Sequence, residues 1–315
     1  MSGEFCVMSV RKLQVQILRK TTAAALSLIG FLAWGNKSAD AIHIGVSPPR
    51  VEVKIKDKSR SKTIKIGNFD KKPVRMRAYV RSWTLDKNGK FKLVKSTEKT
   101  LDQWIVFTPS RFTIPPGGTQ TIRLAIRPKV EPNPGEHRAM LYLQEMPPKG
   151  RDPKAVATVG RLGVSIYGYA GDVKKVGVLN SVNVDSKPNG VKAVFDVSSK
   201  GNAHVRMQGQ YTIWRAASYP GAKATEPLKK TANEPLKLPQ DVLHAGKIKL
   251  TPVLADTRRQ LVLPIKKKLP PGNYVLDINA DLSGVAVDKG IPFTVPASAS
   301  VPQPGKSPVT SLSRE

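Results

Sequence analysis

The chain has 315 residues and a formal net charge of +29, from 52 Lys and Arg against 23 Asp and Glu. This length is enough for two ordinary domains, each able to bury an apolar core without covalent cross-links. A single cysteine, Cys6, excludes a disulfide framework within the chain.

Residues 1–41 have the order of a secretory signal, with a basic region, a short apolar run and a small-x-small cleavage site. The apolar run, residues 21–34, is shorter than the roughly 20 residues that a membrane span needs. We therefore predict cleavage after Ala41 and a periplasmic protein. The sequence leaves Met1 and Met8 open as the initiator.

The basic charge persists after the predicted cleavage. Removal of residues 1–41 takes away five basic and two acidic residues and leaves a net charge of +26, which attracts anionic partners. An exported destination argues against nucleic acid. The basic residues alternate with apolar ones inside predicted strands, so we interpret them as solvated faces of sheets. Acidic polysaccharide, anionic lipid headgroups and acidic proteins are the partners that such a charge would favour.

An alternation of period two runs through the first half of the predicted mature chain. At residues 74–83 and 121–127 apolar side chains alternate with arginine and other residues, which predicts half-buried antiparallel strands with a cationic face. Pro and Gly at 115–118 and 133–135 mark tight connections before the strands that follow. No long amphipathic helix is indicated.

The same pattern resumes after Gly171. Strands are predicted at residues 178–184, 191–197, 205–213, 247–254, 260–265, 274–280 and 291–295. Residues 216–239 are predicted to form a long loop, and residues 297–315, rich in Ser and Pro, a disordered tail. The predicted fold class is all-β, with immunoglobulin-like β-sandwich domains at residues 42–171 and 172–296.

The sequence carries no pattern that indicates catalysis. It has no Gly-x-Ser-x-Gly elbow, no dinucleotide fingerprint and no nucleotide phosphate loop. Its four histidines are scattered without metal-ligand spacing, and its few carboxylates usually lie beside lysines. We therefore predict no catalytic residues, no cofactor and no metal, and a protein that acts by binding.

Several short segments of the first predicted domain occur in a specific order. They are Ser-Pro-Pro-Arg-Val at 47–51, Ile-Gly-Asn at 66–68 followed by Pro73 and Trp83, and the segments 107–117, 119–124 and 135–148. In this order and spacing, residues 44–169 resemble the periplasmic pilus-assembly chaperones of the PapD-like family. No local motif beyond Gly171 adds to the resemblance.

The resemblance implies two immunoglobulin-like domains with a cleft between them that receives an incompletely folded pilus subunit. It also implies donor-strand complementation, in which the chaperone lends an edge strand to a client sandwich that lacks one. The implied partners are secreted pilus or fimbrial-type subunits, with an outer-membrane usher as a further candidate. The alternative is a non-enzymatic envelope or adhesive protein that binds anionic glycan or other acidic partners.

The last strand of the first predicted domain has the alternation that a lent strand needs. Its even positions from residue 156 share one face: Val156, Thr158, Gly160, Leu162, Val164 and Ile166. The alternative is an ordinary core strand whose apolar face packs on its own domain. The residues before it, 147–154, are predicted to form a mobile loop that orders when a client strand pairs alongside.

The resemblance also implies two basic residues that anchor the terminal carboxylate of the client. Arg50 matches the arginine of the opening strand, and a guanidinium can bind a carboxylate through two parallel hydrogen bonds. The alternative is an ordinary surface arginine of a strand. The second anchor, a lysine, is not reproduced, because Leu162 or Val164 stands at its position. Arg161 is the nearest cation, on the opposite face, and is the candidate substitute.

Overall fold

The computed structural model describes residues 43–56, 61–86, 88–147, 159–188, 190–228 and 238–297. It is nearly all β, with 61% strand and 4% helix, which confirms the predicted fold class. The predicted signal peptide lies outside the described residues, and so does the predicted tail from residue 298 onward. No helix in the described part of the chain is long and apolar enough to cross a membrane.

The chain divides into two compact units, Met1–Val173 and Lys174–Glu315. The elements of the first unit are β1 Ile44–Ser47, β2 Arg50–Lys54, β3 Ser61–Asn68, β4 Val74–Leu85, β5 Phe91–Leu93, α1 Leu101–Trp104, β6 Ile105–Thr108, β7 Arg111–Ile114, β8 Thr119–Ile126, β9 Gly135–Glu145 and β10 Arg161–Ala170. They form two sheets, one of order β1-β3-β8-β6 and one of order β2-β10-β9-β4-β5, in which β7 also pairs with β4.

The opening segment of the first unit contributes a strand to each sheet. β1 pairs antiparallel with β3, whereas β2 pairs parallel with β10 at the edge of the other sheet. Pro48 and Pro49 stand between the two strands and have no backbone N–H groups, so neither can continue the ladder of β1. Arg50 therefore begins a new strand in the second sheet.

The alternation read from the sequence decides which side chains enter the core of the first unit. In β4, Val74 and Met76 are buried against the other sheet, while Arg77 and Arg81 lie exposed on the opposite face. The predicted strands at 74–83 and 121–127 correspond to β4 and β8. The indole of Trp104 is fully buried in the same core, and its Nε1 donates to the Glu98 carbonyl oxygen at 2.6 Å.

The strands of the second unit are β11 Gly177–Lys187, β12 Gly190–Ser199, β13 Met207–Arg215, β14 Val242–Lys249, β15 Arg258–Ile265, β16 Gly272–Leu282 and β17 Val285–Val295. They form sheets of order β11-β12-β15 and β14-β13-β16-β17. The predicted strand at 247–254 is wrong in its second half, because β14 ends at Lys249. Leu250 and Val253 are buried without belonging to a strand, and Val253 forms only an isolated bridge with Val205.

A buried carboxyl group lies in the four-stranded sheet of the second unit. Asp277 of β16 is fully buried and accepts hydrogen bonds from the Tyr219 hydroxyl at 2.7 Å and the Thr212 hydroxyl at 3.3 Å. Burial raises the pKa of Asp277 despite these hydrogen bonds. Burial and the hydrogen bond to Asp277 also raise the pKa of Tyr219, so the phenol remains the donor.

Candidate functional site

The last strand of the first unit has an open edge over its first four residues. β10 pairs with β9 along its whole length, from Arg161 opposite Gln144 to Ala170 opposite Gly135. On its other side it pairs with β2 only from Ser165 onward. Among the residues that the structure describes, no strand covers residues 161–164 on the β2 side. Unpaired backbone groups of this kind can template an added strand.

The backbone groups that face the open edge belong to odd-numbered residues of β10. The Tyr169 carbonyl oxygen accepts a hydrogen bond from the Ile55 N–H at 2.8 Å, directly after β2. Successive residues of a strand present their backbone groups to alternate sides, and the ladder to β9 has no register shift. Arg161 and Gly163 therefore also face the β2 side. Together they offer two N–H donors and two carbonyl acceptors.

The apolar face of β10 changes its environment along the strand. Val164 and Ile166 are fully buried in the core of their own unit, while Leu162 packs against that core and is only partly buried. The side chains of Val164 and Ile166 therefore pack on their own domain, as expected for an ordinary core strand, which was the alternative to a lent strand. Leu162 and Val164 both lie within the open edge, and of these two Leu162 is the one that is only partly buried.

The earlier positions of the predicted donor set precede the strand. Gly160 accepts a backbone hydrogen bond from the Glu145 N–H at 2.9 Å, which extends the β9 pairing by one residue. Val156 and Thr158 lie outside the described residues, as does most of the predicted loop at 147–154. The donor role of these positions stays a prediction.

Arg50 lies where the open edge meets β2, opposite Ser165. Its side chain is 41% exposed, and its Nε donates to Glu52 Oε1 at 2.9 Å. Glu52 also accepts a hydrogen bond from the Tyr169 hydroxyl at 2.8 Å. Burial raises the pKa of Tyr169 and the hydrogen bond to Glu52 raises it further, so the phenol stays protonated. Arg50 is thus an oriented but accessible cation at the end of the edge.

Arg161 does not converge with Arg50. Its guanidinium carbon lies 5.0 Å from the ring centroid of Tyr142 on β9, and a side-chain hydrogen bond with Tyr79 on β4 raises the pKa of Arg161. β9 and β4 lie on the side of β10 away from β2. With strands about 4.8 Å apart, β9 is roughly 10 Å from β2. In this arrangement the structure does not bring the two guanidinium groups together, and an anchor role for Arg161 stays a prediction.

Residues 45–165 match the family model described as pili and flagellar-assembly chaperone, PapD N-terminal domain. The first unit is therefore similar to this family over residues 45–165, and it is called the PapD-like unit hereafter. The matched range contains Arg50 and the open edge of the PapD-like unit up to Ser165.

Several solved structures are similar to the chain at low sequence identity. The YadV chaperone has a TM-score of 0.41 and 11% identity, covering 80% of this chain and 100% of that chain. The CsuC–CsuE chaperone–tip subunit complex of Acinetobacter baumannii Csu pili has a TM-score of 0.38 and 12% identity, and the match covers 80% of this chain and 97% of that chain. The Salmonella enterica SafA pilin in complex with the SafB chaperone has a TM-score of 0.38 and 10% identity, and the match covers 82% of this chain and 99% of that chain. Comparison with curated proteins found no match.

The PapD-like unit also carries a cationic pocket that the sequence analysis missed. Arg77 and Arg81 of β4 were interpreted as part of a solvated face. The structure brings them together with Arg161 around a pocket of about 760 Å³ on the outer face of the sheet. The alternation in β4 was visible in the sequence, but the approach of Arg161, 80 or more residues later in the chain, was not.

Three of the four histidines, His137, His204 and His244, pack against other residues or are buried. His137 of the PapD-like unit lies 4.9 Å from the Trp104 ring, and its Nε2 is 2.9 Å from the Asn133 carbonyl oxygen. His204 is buried, and burial lowers the pKa of His244. No group of three or more His, Cys, Asp or Glu residues that could hold a metal ion occurs among the described residues.

Proposed function

We propose that the protein is a periplasmic chaperone that binds incompletely folded pilus or surface-fibre subunits by lending them the edge of β10. The open edge at residues 161–164, inside the segment that matches the PapD N-terminal domain model, is the observation that carries this proposal. Proteins similar to this chain are described in complex with a tip subunit or a pilin, and we propose the same class of partner here.

The physical basis of binding is the mutual need of two incomplete sheets. A client sandwich that lacks a strand exposes an apolar groove flanked by unpaired backbone groups, which would otherwise lead to aggregation. Arg161 and Gly163 supply four backbone hydrogen-bonding groups, each worth about 1 kcal/mol when paired. Leu162 supplies apolar surface on the face of β10 opposite the Arg161 side chain. The residues before it would extend the lent strand.

Arg50 would set where the client strand ends. A client strand that pairs with residues 161–164 reaches β2 at Ser165, where a carboxylate at its terminus meets the exposed guanidinium of Arg50. The incoming carboxylate would compete with Glu52, whose ion pair with Arg50 is partly exposed and therefore weak, about 0–1 kcal/mol. Glu52 keeps its hydrogen bond from Tyr169 in either state.

Two variants test this mechanism. Leu162→Glu places a charge on the apolar face of the lent strand, so loss of the co-purifying subunit is expected. Arg50→Ala removes the carboxylate partner, so affinity for the subunit is expected to fall about tenfold. Each variant and the parent protein are purified from the cell envelope, and co-purifying polypeptides are identified by mass spectrometry. The subunit is then titrated directly against each protein.

The chain offers matched controls for both changes. Val106→Glu adds the same charge at an apolar position that is 56% exposed on β6, in the other sheet. Lys54→Ala removes a cation from the same exposed face of β2. Both controls should retain the subunit. The proposal fails if Leu162→Glu remains folded and keeps the subunit, or if Val106→Glu loses it equally.

Export of the protein is part of the proposal. The predicted cleavage after Ala41 is tested by the N-terminal mass of the protein recovered from the periplasmic fraction. Recovery of an uncleaved chain from the cytoplasm alone would contradict a periplasmic chaperone.

A further inference from the structure

The outer face of the larger sheet in the PapD-like unit holds a pocket of about 760 Å³, lined chiefly by cations. β4 contributes Arg77 and Arg81, β7 contributes Arg111, and β10 contributes Arg161. The pocket lies over β4 and β9, whereas the open edge of β10 faces β2 on the other side. The pocket uses the side chain of Arg161, whereas the proposed client edge uses the backbone groups of Arg161 and Gly163 on the β2 side.

Among the described residues, no carboxylate lines this pocket. Two arginines elsewhere in the same unit have carboxylate partners: Arg50 pairs with Glu52, and Arg138 pairs with Glu136. Arg77 of the pocket instead donates to the amide oxygen of Gln144, which lies beside the lining. Four guanidinium groups that line one concavity without a carboxylate create a strong positive potential, which a bound anion would relieve.

Aromatic contacts hold two of these guanidinium groups in place before any ligand arrives. Tyr79 and Tyr142 stack with ring centroids 5.2 Å apart. The guanidinium carbon of Arg77 lies 5.5 Å from the Tyr79 ring, and that of Arg161 lies 5.0 Å from the Tyr142 ring. A cation positioned on an aromatic face loses less side-chain entropy when it binds an anion. These contacts are typical of a preformed binding surface.

One wall of the pocket is apolar and exposed. Phe91 and Leu93 of the short strand β5 line it, with 44% and 53% of their surfaces in solvent. Phe91 stacks on Trp83 at 5.5 Å, which fixes its position. An anion that also carries an apolar group would cover this wall, whereas inorganic phosphate would leave it exposed.

We infer that this pocket binds an acidic polypeptide segment, with its carboxylates on the arginines and an apolar side chain against Leu93. A peptide fits better than a glycan because the lining side chains offer many donors and few acceptors. Sugar hydroxyls need acceptors such as carboxylates or amides. The described lining contains neither, and the amide oxygen of Gln144 beside it already accepts from Arg77 and Tyr79. Carboxylates need only donors, and the arginine fork matches their geometry.

The test is a fluorescence anisotropy titration of the purified protein. The probe is a short fluorescein-labelled peptide in which glutamate alternates with serine around one leucine. The double variant Arg81→Gln/Arg111→Gln removes two exposed pocket cations with no effect expected on folding, and affinity for the probe should fall about tenfold. The matched control, Lys65→Gln/Arg123→Gln, removes two exposed cations from the other sheet and should bind like the parent protein.

Further arms separate the possible occupants. The inference predicts weaker binding of a probe whose leucine is replaced by serine, and loss of binding when every glutamate becomes glutamine. It is overturned if the control variant loses as much affinity as the pocket variant, because the charge would then act only in bulk. It is also overturned if polygalacturonate displaces the peptide from the parent protein and binds more tightly, which would indicate a glycan site. Titrations at about 50 and 200 mM salt establish the ionic part of the affinity.

The pocket and the client edge can fail independently. Leu162→Glu should leave binding of the acidic probe unchanged, while Arg81→Gln/Arg111→Gln should leave capture of the pilus-type subunit unchanged. Loss of both activities in both variants would mean that the two surfaces are not separate and would refute the inference.

Discussion

Alanine substitutions at Leu162 and Val164 are expected to separate client binding from stability. Val164 is fully buried, and Val164→Ala removes two carbon atoms from a packed core. At about 0.8 kcal/mol for each, with a cavity contribution added, the free energy of unfolding should fall by about 2–3 kcal/mol. Leu162 is only partly buried, so Leu162→Ala should lower it by about 1 kcal/mol.

Client binding should respond in the opposite order. Both residues lie in the open edge, but the partly buried side chain of Leu162 can be shared with a client groove, whereas Val164 is already fully buried in its own domain. Leu162→Ala should therefore weaken subunit binding by about tenfold, while Val164→Ala should leave it close to that of the parent protein.

The assay pairs urea unfolding, followed by tryptophan fluorescence, with titration of the co-purified subunit under conditions in which both variants are fully folded. Equal losses of subunit affinity in the two variants would refute the distinction between a shared Leu162 side chain and a core Val164 side chain. A larger loss for Val164→Ala would favour a client that withdraws this side chain from its own core.

Three further changes test interactions inside each of the two units. Asp102 is buried and accepts hydrogen bonds from the hydroxyls of Ser82 and Ser96, so Asp102→Ala should lower the free energy of unfolding by about 1–3 kcal/mol in urea titrations. Burial of the charged carboxylate raises the pKa of Asp277, so this cost of burial is absent below pH 3.8, the ordinary pKa of the group. The free energy of unfolding should therefore fall as the pH rises from 3.8 through the folded-state pKa. Asp277→Asn should remove this decline, and an unchanged pH profile of thermal unfolding would contradict the assignment. A Cβ at Gly201 would collide with the Lys174 carbonyl oxygen, so Gly201→Ala should destabilise the second unit by more than about 1 kcal/mol, while Gly190→Ala, with open space around it, should cost less in the same measurement.

The strand pattern was readable from sequence where one face of a strand is buried and the other is wet. β4 and β8 follow their predicted positions because alternation of apolar and charged residues has one physical solution in a sandwich. The strand predicted at 247–254 fails because Leu250 and Val253 are buried by a turning backbone with almost no ladder pairing. Burial alone looks the same in a sequence whether or not the backbone pairs.

The candidate sites depended on information that no local pattern contains. The sequence determined that β10 alternates and that Arg50 opens a strand. Only the tertiary structure decided that the pairing of β2 reaches no further than Ser165, which leaves residues 161–164 with one neighbouring strand, β9, in the described part of the chain. It also decided that Arg161 crosses to Tyr142 and away from Arg50. Strand pairing and side-chain convergence join residues that are far apart in the chain, so they are set by the packing of the whole unit.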